Sequence, residues 1–254
     1  MKICIPASIS KTQYYINQAY ADYVKEAGYQ PVLIVPGNDI SMFAEMSDGL
    51  ILPGGIDLDP IHYGEDNYSS YSVDPDKDAF ERKLLYAFLE LEKPIFGICR
   101  GFQLIAREYL LHDKELEKFM WFTSHINDHA QTSGQQLARN IYSHFVDYRS
   151  EVLYNIESNE LLSMAINSMH HQGLMVNFKQ ENVVSIRGFD MAAWTDRGIK
   201  YDKKYPHTKI CEALRIRGWG APVLAVQWHP EELRDYELLN NFFGKPKTRV
   251  KGAA

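Results

Sequence analysis

The sequence predicts an α/β fold with a doubly wound, mostly parallel sheet and helices on both faces of that sheet. Three observations support this prediction. In the first half of the chain, short apolar runs alternate with segments of helical apolar spacing. The runs are continuously apolar, as expected of strands buried on both faces. One run ends in Gly97-Ile98-Cys99-Arg100-Gly101, a pattern typical of the strand-to-helix turn called a nucleophile elbow.

Strands and helices alternate regularly in the first half. Gly28 ends the first helix, and valine, isoleucine and leucine enrich the strand that follows. A later helix has apolar residues near helical spacing between Ala79 and Leu91. The predicted strands are 2–6, 30–36, 48–52 and 94–98, and the predicted helices are 12–27, 39–46, 76–91 and 101–111.

The second half is less regular. Polar residues fill 112–143, which receives no assignment, and the breakers Gly188, Gly198 and Pro206 indicate an insertion loop over 188–209. The predicted strands are 145–148, 183–186, 210–216 and 223–227, and the predicted helices are 159–165 and 231–243. We expect one domain over 1–244, followed by a basic tail over 245–254.

Composition narrows the function classes. The chain has 254 residues, 45% of them hydrophobic, and a net charge of -6. Without a long basic block, nucleic acid and membrane surfaces are not expected partners, and no apolar run reaches the roughly 18–20 residues of a membrane span. Cys4, Cys99 and Cys211 are too far apart for a disulfide framework or zinc cluster. A free thiol suits the cytoplasm, and Cys4 and Cys211 are expected in the core.

Cys99 is the candidate nucleophile. Small residues two positions before and after it allow a strained turn that bulky side chains would block. The turn points the N-terminus of the next helix at the thiol, and the positive end of the helix dipole favours a thiolate. We therefore interpret Cys99 as an activated sulfur rather than a packed core thiol.

A base for this thiol is predicted at the end of another strand. The apolar run 223–227 leads into Trp228-His229-Pro230-Glu231. Strand ends of an open α/β sheet share one rim, so His229 can reach the elbow. Glu231 can hydrogen-bond the imidazole and set its tautomer, as the acid of a catalytic triad does.

Donors for an oxyanion are predicted beside the thiol. The run 49–52 ends in Pro53-Gly54-Gly55, and glycine lets the backbone approach a substrate closely. We expect the backbone amides of Gly55 and Arg100 to donate to the developing negative charge.

Four stretches of the chain together resemble the class I glutamine amidotransferases. The resemblance is strongest to the γ-glutamyl-GABA hydrolases of that superfamily, peptidase family C26. The matching stretches are Gly49–Gly55 with Pro60-Ile61-His62-Tyr63-Gly64-Glu65, Gly97–Gln103, Asn167-Ser168-Met169-His170-His171-Gln172, and Val226–Glu231. They cover about two thirds of the chain. The run that ends in Tyr63-Gly64-Glu65 and the loop 167–172 resemble the hydrolase branch specifically, and Arg100 also suits that branch.

The resemblance implies a flavodoxin-like hydrolase with the triad Cys99, His229 and Glu231, acting without a cofactor. It implies attack by Cys99 on a γ-glutamyl amide or glutamine, a γ-glutamyl thioester, and release of glutamate and an amine. It also implies that Gly54, Gln103, Ser168, His170, His171 and Gln172 lie beside the glutamyl group. The two histidines and Gln172 carry donors suited to a carboxylate, although hydrogen bonds that fix the loop are an alternative role.

Departures from the family pattern leave the leaving group open. The Gly-Gly turn that usually follows the elbow helix is replaced by residues 109–114, and 112–143 and 188–209 match nothing in the family. One alternative function is a glutaminase that supplies ammonia to a separate synthetase partner. Another is a catalytically silent binding or regulatory module. The sequence also leaves a homodimer open.

Two metal-like patterns are set aside, so no metal is predicted. Asp74, Asp76 and Asp78 imitate the start of a calcium loop, but the later glycine and glutamate positions do not match, and an acidic helix start explains them better. His125 and His129 are four residues apart, but the sequence shows no third ligand near them.

Overall fold

The computed structural model describes residues 1–64, 72–123, 126–129, 139–157, 160–177, 185–199, 203 and 205–245. The strands are β1 (Lys2–Pro6), β2 (Ser8–Ile9), β3 (Tyr14–Tyr15), β4 (Gln30–Ile34), β5 (Gly49–Leu52), β6 (Ile95–Ile98), β7 (Met120–Thr123), β8 (His144–Arg149), β9 (Leu161–Ile166), β10 (Gly173–Asn177), β11 (Ser185–Ile186), β12 (Phe189–Thr195), β13 (Thr208–Trp219) and β14 (Ala221–Val226). The α-helices are α1 (Gln18–Glu26), α2 (Ile40–Met46), α3 (Pro75–Glu90), α4 (Arg100–His112), α5 (Ser150–Leu153), α6 (Pro230–Leu233) and α7 (Tyr236–Phe243). Short 3-10 helices cover Pro60–Tyr63 and Lys114–Lys118.

One half of the main sheet is parallel. Its strands lie in the order β4-β1-β5-β6-β14, and every neighbouring pair is parallel. Residues of β5, β6 and β14 are almost all buried, in agreement with the continuously apolar runs in the sequence. The carboxyl ends of these strands therefore share one edge, where open α/β sheets place their sites. The predicted α/β fold is confirmed.

Antiparallel strands extend the sheet on the other side of β14. The order continues β13-β12-β8-β9, and each of these strands is antiparallel to its neighbour. β13 continues past the end of β14, and its first residues pair with β10, which pairs in turn with β7. Sequence analysis did not predict β7 or β10.

Helices cover both faces of the parallel half. On one face, α1 and α7 pack their apolar residues against Ile3, Ile5 and Phe96 of the sheet. On the opposite face, α3 and α4 pack against Leu50, Leu52 and Ile95. Residues alternate between the two faces along each strand, so each helical layer buries its own set. Cys4 and Cys211 are fully buried, as predicted.

Three predicted helices need correction. The predicted helix 12–27 begins only at Gln18, because Asn17 caps it and Tyr14–Tyr15 pairs with β2 in a hairpin. The predicted helix 159–165 is wrong: β9 lies there and pairs along its length with β8, since tertiary pairing outweighs local propensity. The predicted helix 231–243 divides into α6 and α7 at Arg234, whose φ is +57°.

The predicted insertion loop 188–209 is also wrong. It contains β12, every residue of which is buried, and the start of β13. Gly188 does not mark a long loop: with Arg187 it forms a tight turn at φ +85° and +50° between the paired strands β11 and β12.

The predictions about membrane spans and about the C-terminal tail can be compared with the described residues only. Within the described residues, no helix is both long enough and apolar enough to cross a membrane. Of the predicted tail 245–254, residues 246–254 lie outside the described part of the chain, as do residues 183 and 184 of a predicted strand.

Candidate active site

Cys99 stands at a strained turn between β6 and α4. Its φ of +51° and ψ of -104° are unusual for a residue with a side chain. A Cβ on Gly101 would lie 2.1 Å from the carbonyl oxygen of Leu52, and one on Gly97 would lie 2.6 Å from Ile105 Cδ1. Glycine is therefore required at both positions, and the spacing that predicted an elbow does correspond to one.

His229 and Glu231 meet Cys99 at this edge of the sheet. His229 Nδ1 lies 2.7 Å from Glu231 Oε1, so the ring donates Nδ1–H to the carboxylate. The ring also lies close to Cys99: a Cβ on Gly54 would be 2.9 Å from His229 Cε1 and 3.3 Å from Cys99 Cβ. Burial lowers the pKa of His229, but the charge of Glu231, with a smaller effect of the neighbouring Cys99, outweighs burial and raises this pKa to about 10. The imidazole therefore carries a proton at neutral pH.

Asn167 holds the backbone of His229 in place, which sequence analysis did not predict. The His229 N–H donates to Asn167 Oδ1 at 3.0 Å, and Asn167 Nδ2 donates to the carbonyl oxygen of His229 at 3.2 Å. The same Nδ2 donates to the carbonyl oxygen of Arg139 at 2.8 Å. The fully buried side-chain amide of Asn167 therefore connects the loop after β9 to the backbone of His229.

The predicted oxyanion donors belong to Gly55, which lines the same cavity as Cys99, and to Arg100, which follows Cys99 in the chain. Arg100 is the first residue of α4, and an N–H at that position has no acceptor within its own helix. The exposed Gly55 N–H has no acceptor among the described residues, whereas the Gly54 N–H donates to the Tyr20 hydroxyl at 2.9 Å. Two backbone donors thus remain available near the thiol, at Gly55 and Arg100.

A buried network of charges fixes the start of α4. The Arg100 side chain is 1% exposed and forms ion pairs with Asp78 and Glu81 of α3. Lys77 Nζ lies 2.5 Å from Glu81 Oε1, so two cations face two carboxylates. Burial raises the pKa of Glu81, but Arg100 and Lys77 outweigh it and hold this pKa below its usual value. As predicted, the aspartates of this region form an acidic helix start, with Asp74 as the N-cap.

Cys99 and His229 open into a cavity of about 380 Å³. Its lining also includes Gly54, Gly55 and Met169, together with the charged residues Asp74, Lys77 and Arg139. Lys77 Nζ donates to Ser8 Oγ at 3.0 Å, and Arg139 Nε lies 2.5 Å from Glu232 Oε1. Sequence analysis did not find the charged residues, because they come from separate segments and belong to no local motif.

Several residues predicted to contact the substrate are instead occupied within the protein. Gln103 Nε2 donates to the Gln172 carbonyl oxygen at 3.1 Å, and Gln172 exchanges side-chain hydrogen bonds with the backbone of Leu58. Ser168 Oγ donates to the carbonyl oxygen of His129, and His171 Nε2 lies 2.9 Å from Asp57 Oδ2. None of the four predicted residues lines the 380 Å³ cavity, so their direct contact with substrate stays a prediction.

Four buried side chains form a separate cluster under the loop after β9. Glu212 Oε1 lies 3.2 Å from His129 Nε2, and 3.6 Å from Nε2 of both His144 and His170. His170 was predicted beside the substrate, but it is 3% exposed and does not line the cavity. His125, the predicted neighbour of His129 in a metal pair, lies outside the described residues.

Comparison with known proteins identifies the family of this chain. The model of the Peptidase C26 family matches residues 6–231. A γ-glutamyl-γ-aminobutyrate hydrolase of Escherichia coli O157:H7 is 32% identical over 223 residues, which cover 85% of this chain and 78% of the relative. The putative glutamine amidotransferase-like protein YvdE of Lactococcus lactis is 28% identical, over 85% of this chain and 80% of the relative.

Solved structures show the same fold at low sequence identity. The structure of PurLQS from Thermotoga maritima superposes with a TM-score of 0.54 at 12% identity, covering 95% of this chain and 96% of that one. Since the family match extends over most of the sequence, from before β2 into α6, the chain belongs to the peptidase C26 family.

Proposed function

We propose that this protein hydrolyses a γ-glutamyl amide, with Cys99 as nucleophile and a γ-glutamyl thioester as intermediate. The observation that carries the proposal is that Cys99 and His229 line one cavity, both within 3.3 Å of the place a Cβ on Gly54 would occupy, with Glu231 hydrogen-bonded to His229. Membership of the peptidase C26 family supports it, and so does the named activity of the Escherichia coli relative.

The proposed reaction has two halves. Cys99 gives its thiol proton to His229, Cys99 Sγ attacks the amide carbonyl carbon, and His229 passes the proton to the amine as the carbon–nitrogen bond breaks. A water molecule then attacks the thioester, His229 accepts a proton from that water, and the carbon–sulfur bond breaks to release glutamate. Glu231 keeps Nδ1–H pointed at itself, so Nε2 remains the nitrogen that exchanges protons at the thiol.

Backbone donors stabilise the tetrahedral intermediate in this scheme. The oxygen of this intermediate carries negative charge in both halves of the reaction. The backbone N–H groups of Gly55 and Arg100 are the hydrogen-bond donors that would bind it. The Arg100 ion pairs with Asp78 and Glu81 keep that helix start in one position. The Arg100 side chain is therefore a positioning group, whereas its backbone is a donor.

The charges of the cavity suit an amino-acid end of the substrate. A γ-glutamyl group presents an α-carboxylate and an α-ammonium beyond the scissile amide. Arg139, whose side chain is 45% exposed in its pair with Glu232, supplies a cation for the carboxylate, and Asp74 supplies a carboxylate for the ammonium. The volume of about 380 Å³ falls in the range of small-molecule sites, roughly 300–1,000 Å³.

A panel of γ-glutamyl amides tests this function. The panel contains glutamine, γ-glutamyl-GABA, a γ-glutamyl polyamine and the matching α-glutamyl amides, with glutamate release as the readout. We expect γ-glutamyl substrates to be cleaved and α-glutamyl ones not. Cys99→Ala should lose activity by about 10⁴-fold or more, while Cys4→Ala, a change at a buried thiol outside the cavity, should retain it.

Two results would overturn the proposal. Hydrolysis by folded Cys99→Ala at the wild-type rate would remove Cys99 from the mechanism. Failure to release glutamate from every γ-glutamyl amide would favour the silent binding module. Cleavage of glutamine alone, rising on addition of a co-purifying synthetase, would instead favour an ammonia-supplying subunit.

A further inference from the structure

We propose that His129, His144, His170 and Glu212 form a buried structural site for a divalent transition metal of the zinc type. The cluster lies outside the 380 Å³ cavity and takes no part in the proposed reaction. It draws on four separate segments: the stretch before residue 130, the first residue of β8, the loop after β9, and the middle of β13. The proposal does not depend on the proposed function.

The spacing of the side-chain atoms suits a tetrahedral ion. Zinc binds imidazole nitrogen and carboxylate oxygen at about 2.0–2.2 Å, which places neighbouring tetrahedral ligands about 3.3–3.5 Å apart. Glu212 Oε1 lies 3.2 Å, 3.6 Å and 3.6 Å from the three Nε2 atoms. The ligand atoms of His129, His170 and Glu212 all lie within 4.8 Å of one another, so small side-chain movements bring these three onto one ion. His144 Nε2 lies 3.6 Å from Glu212 Oε1 but outside that group of three, so its ring must move further to become the fourth ligand.

In two of the histidines, the tautomer leaves a lone pair on Nε2, the nitrogen that faces the position of the proposed ion. His129 Nδ1 lies 2.8 Å from the carbonyl oxygen of Asn127, and His170 Nδ1 lies 3.0 Å from that of Gln172. A carbonyl oxygen accepts only, so both Nδ1 atoms carry hydrogen, and in the neutral ring Nε2 is a lone pair. A backbone carbonyl on the far nitrogen is the arrangement that orients histidine ligands in metal sites.

The cluster has more acceptors than donors. Nε2 of each of the three histidines and both carboxylate oxygens of Glu212 are buried, and none meets the geometry of a hydrogen bond within the described chain. Each of the four residues is at most 5% exposed. A carboxylate facing imidazole lone pairs in a dry interior requires a cation between them, which is either a proton or a metal ion.

The donor set favours a metal of the zinc type. Three imidazoles and one carboxylate are borderline ligands, unlike the all-oxygen sets that calcium and magnesium prefer. Four protein ligands leave no open position in a tetrahedral site, so the role is structural rather than catalytic. Ser168 Oγ donates to the carbonyl oxygen of His129, and Met169 beside it lines the cavity. The ion would therefore stiffen the loop that forms one wall of the cavity.

Metal content of the protein as expressed, without a histidine tag, is the test. We expect about one equivalent of zinc per chain after growth with zinc, and the visible d–d bands of tetrahedral cobalt after growth with cobalt. Glu212→Gln and His144→Asn should each lower the bound metal several-fold. His207→Asn, which removes an exposed histidine, should leave it unchanged. Zinc-loaded protein should also unfold at a higher Tm than chelator-treated protein.

Three results would overturn the proposal: less than about a tenth of an equivalent of bound metal in both growth media, an octahedral cobalt spectrum, or metal content unchanged in Glu212→Gln. In the first case, the cation of the cluster is a proton. Should Glu212→Gln fail to fold, the wild-type metal content and cobalt spectrum, with His144→Asn, still decide the question. Since the readout is metal content, an inactive enzyme would not affect it.

Discussion

The two halves of the sheet place their polar groups differently. In the parallel half, Cys99 and His229 stand at the carboxyl ends of β6 and β14, where they open into the cavity. In the antiparallel half, Glu212 lies within β13 and is fully buried, with three histidines around it. The polar groups of the parallel half therefore line a cavity, whereas those of the antiparallel half are buried inside the protein.

The buried charges of the two halves also differ in their balance. Beside the elbow, Lys77 and Arg100 face Asp78 and Glu81, so cations and anions are equal in number. Under the loop after β9, one carboxylate faces three imidazoles without a fixed cation among the described side chains. A balanced network needs no ligand to be stable, whereas the unbalanced one needs a proton or an ion. The following predictions test this contrast, beginning with the largest expected effect.

Among changes that keep the Cys99 thiol, Glu231→Gln should damage catalysis most. The amide cannot hold Nδ1–H of a charged imidazole as the carboxylate does, and loss of the orienting acid in a triad costs about 10⁴-fold in kcat. Steady-state kinetics on a γ-glutamyl amide measures the loss. Glu237→Gln makes the same chemical change at an exposed position of α7 and should keep the wild-type rate. Equal rates in the two variants would remove Glu231 from the mechanism.

Arg100→Met should destabilise the fold by about 3–5 kcal/mol, because it leaves Asp78 and Glu81 buried without their main cation. Lys118→Met is the control: the side chains of Lys118 and its partner Glu115 are 62% and 59% exposed, so loss of this cation should cost about 0–1 kcal/mol. Denaturant unfolding of both variants checks this difference. Similar losses would show that burial of the network contributes little.

Gly54→Ala should lower kcat by about 10²-fold with the fold retained, since small misplacements of catalytic groups have effects of that size. The new Cβ would lie 2.9 Å from His229 Cε1 and 2.6 Å from the Tyr20 hydroxyl, which forces the imidazole to move. At Gly55 a Cβ would make ordinary contacts at 3.5 Å, so Gly55→Ala should lower kcat less. The reverse order of the two kcat values would contradict the position of His229.

Gln172→Leu should affect stability and substrate affinity more than chemistry. It leaves the N–H and carbonyl of Leu58 without their side-chain partner in a buried place, at a cost of about 1–3 kcal/mol. KM should rise more than kcat falls, because the loop after β9, which contains Gln172, positions the wall of the cavity and not the thiol. Gln18→Leu, at an exposed helical position, is the control for added apolar surface. A fall in kcat with KM unchanged would assign Gln172 to the chemistry instead.

The smallest effect concerns pH and Glu81. Since its pKa is held below the usual value of 4.5, Glu81 contributes stability above about pH 4.5, and this contribution is lost as pH falls through the lowered pKa. The difference in unfolding free energy between wild type and Glu81→Gln should therefore shrink in acid. Exposed Glu90→Gln should show a nearly constant difference. If the difference in unfolding free energy between wild type and Glu81→Gln grew in acid, the pKa of Glu81 would be raised rather than lowered, and the prediction would be wrong.

The parallel half could be predicted from sequence because its signals are local. Continuous apolar runs predicted β1, β4, β5, β6 and β14, and glycines two positions from Cys99 predicted the turn that bears it. The pairing of His229 with Glu231 followed from their spacing of two residues. Each of these inferences needs only a few neighbouring residues.

The antiparallel half could be predicted only in part, because long-range pairing determines it. The apolar pattern predicts β8 and β13, but it predicts a helix at β9 and a loop at β12, where partner strands distant in sequence decide the structure. The cluster around Glu212 draws on residues 129, 144, 170 and 212, which no spacing rule connects. For the same reason Lys77 and Arg139 went unrecognised as parts of the cavity wall.

Labelling with an electrophilic glutamine analogue tests the central claim most directly. Peptide mass spectrometry after incubation should find the adduct on Cys99 alone, with Cys4 and Cys211 unmodified, and glutamine should slow its formation. In His229→Asn, labelling should fall sharply, because the base that activates the sulfur is absent. Labelling of another residue, or a Cys99 that stays unmodified in protein that turns over γ-glutamyl amides, would contradict the account.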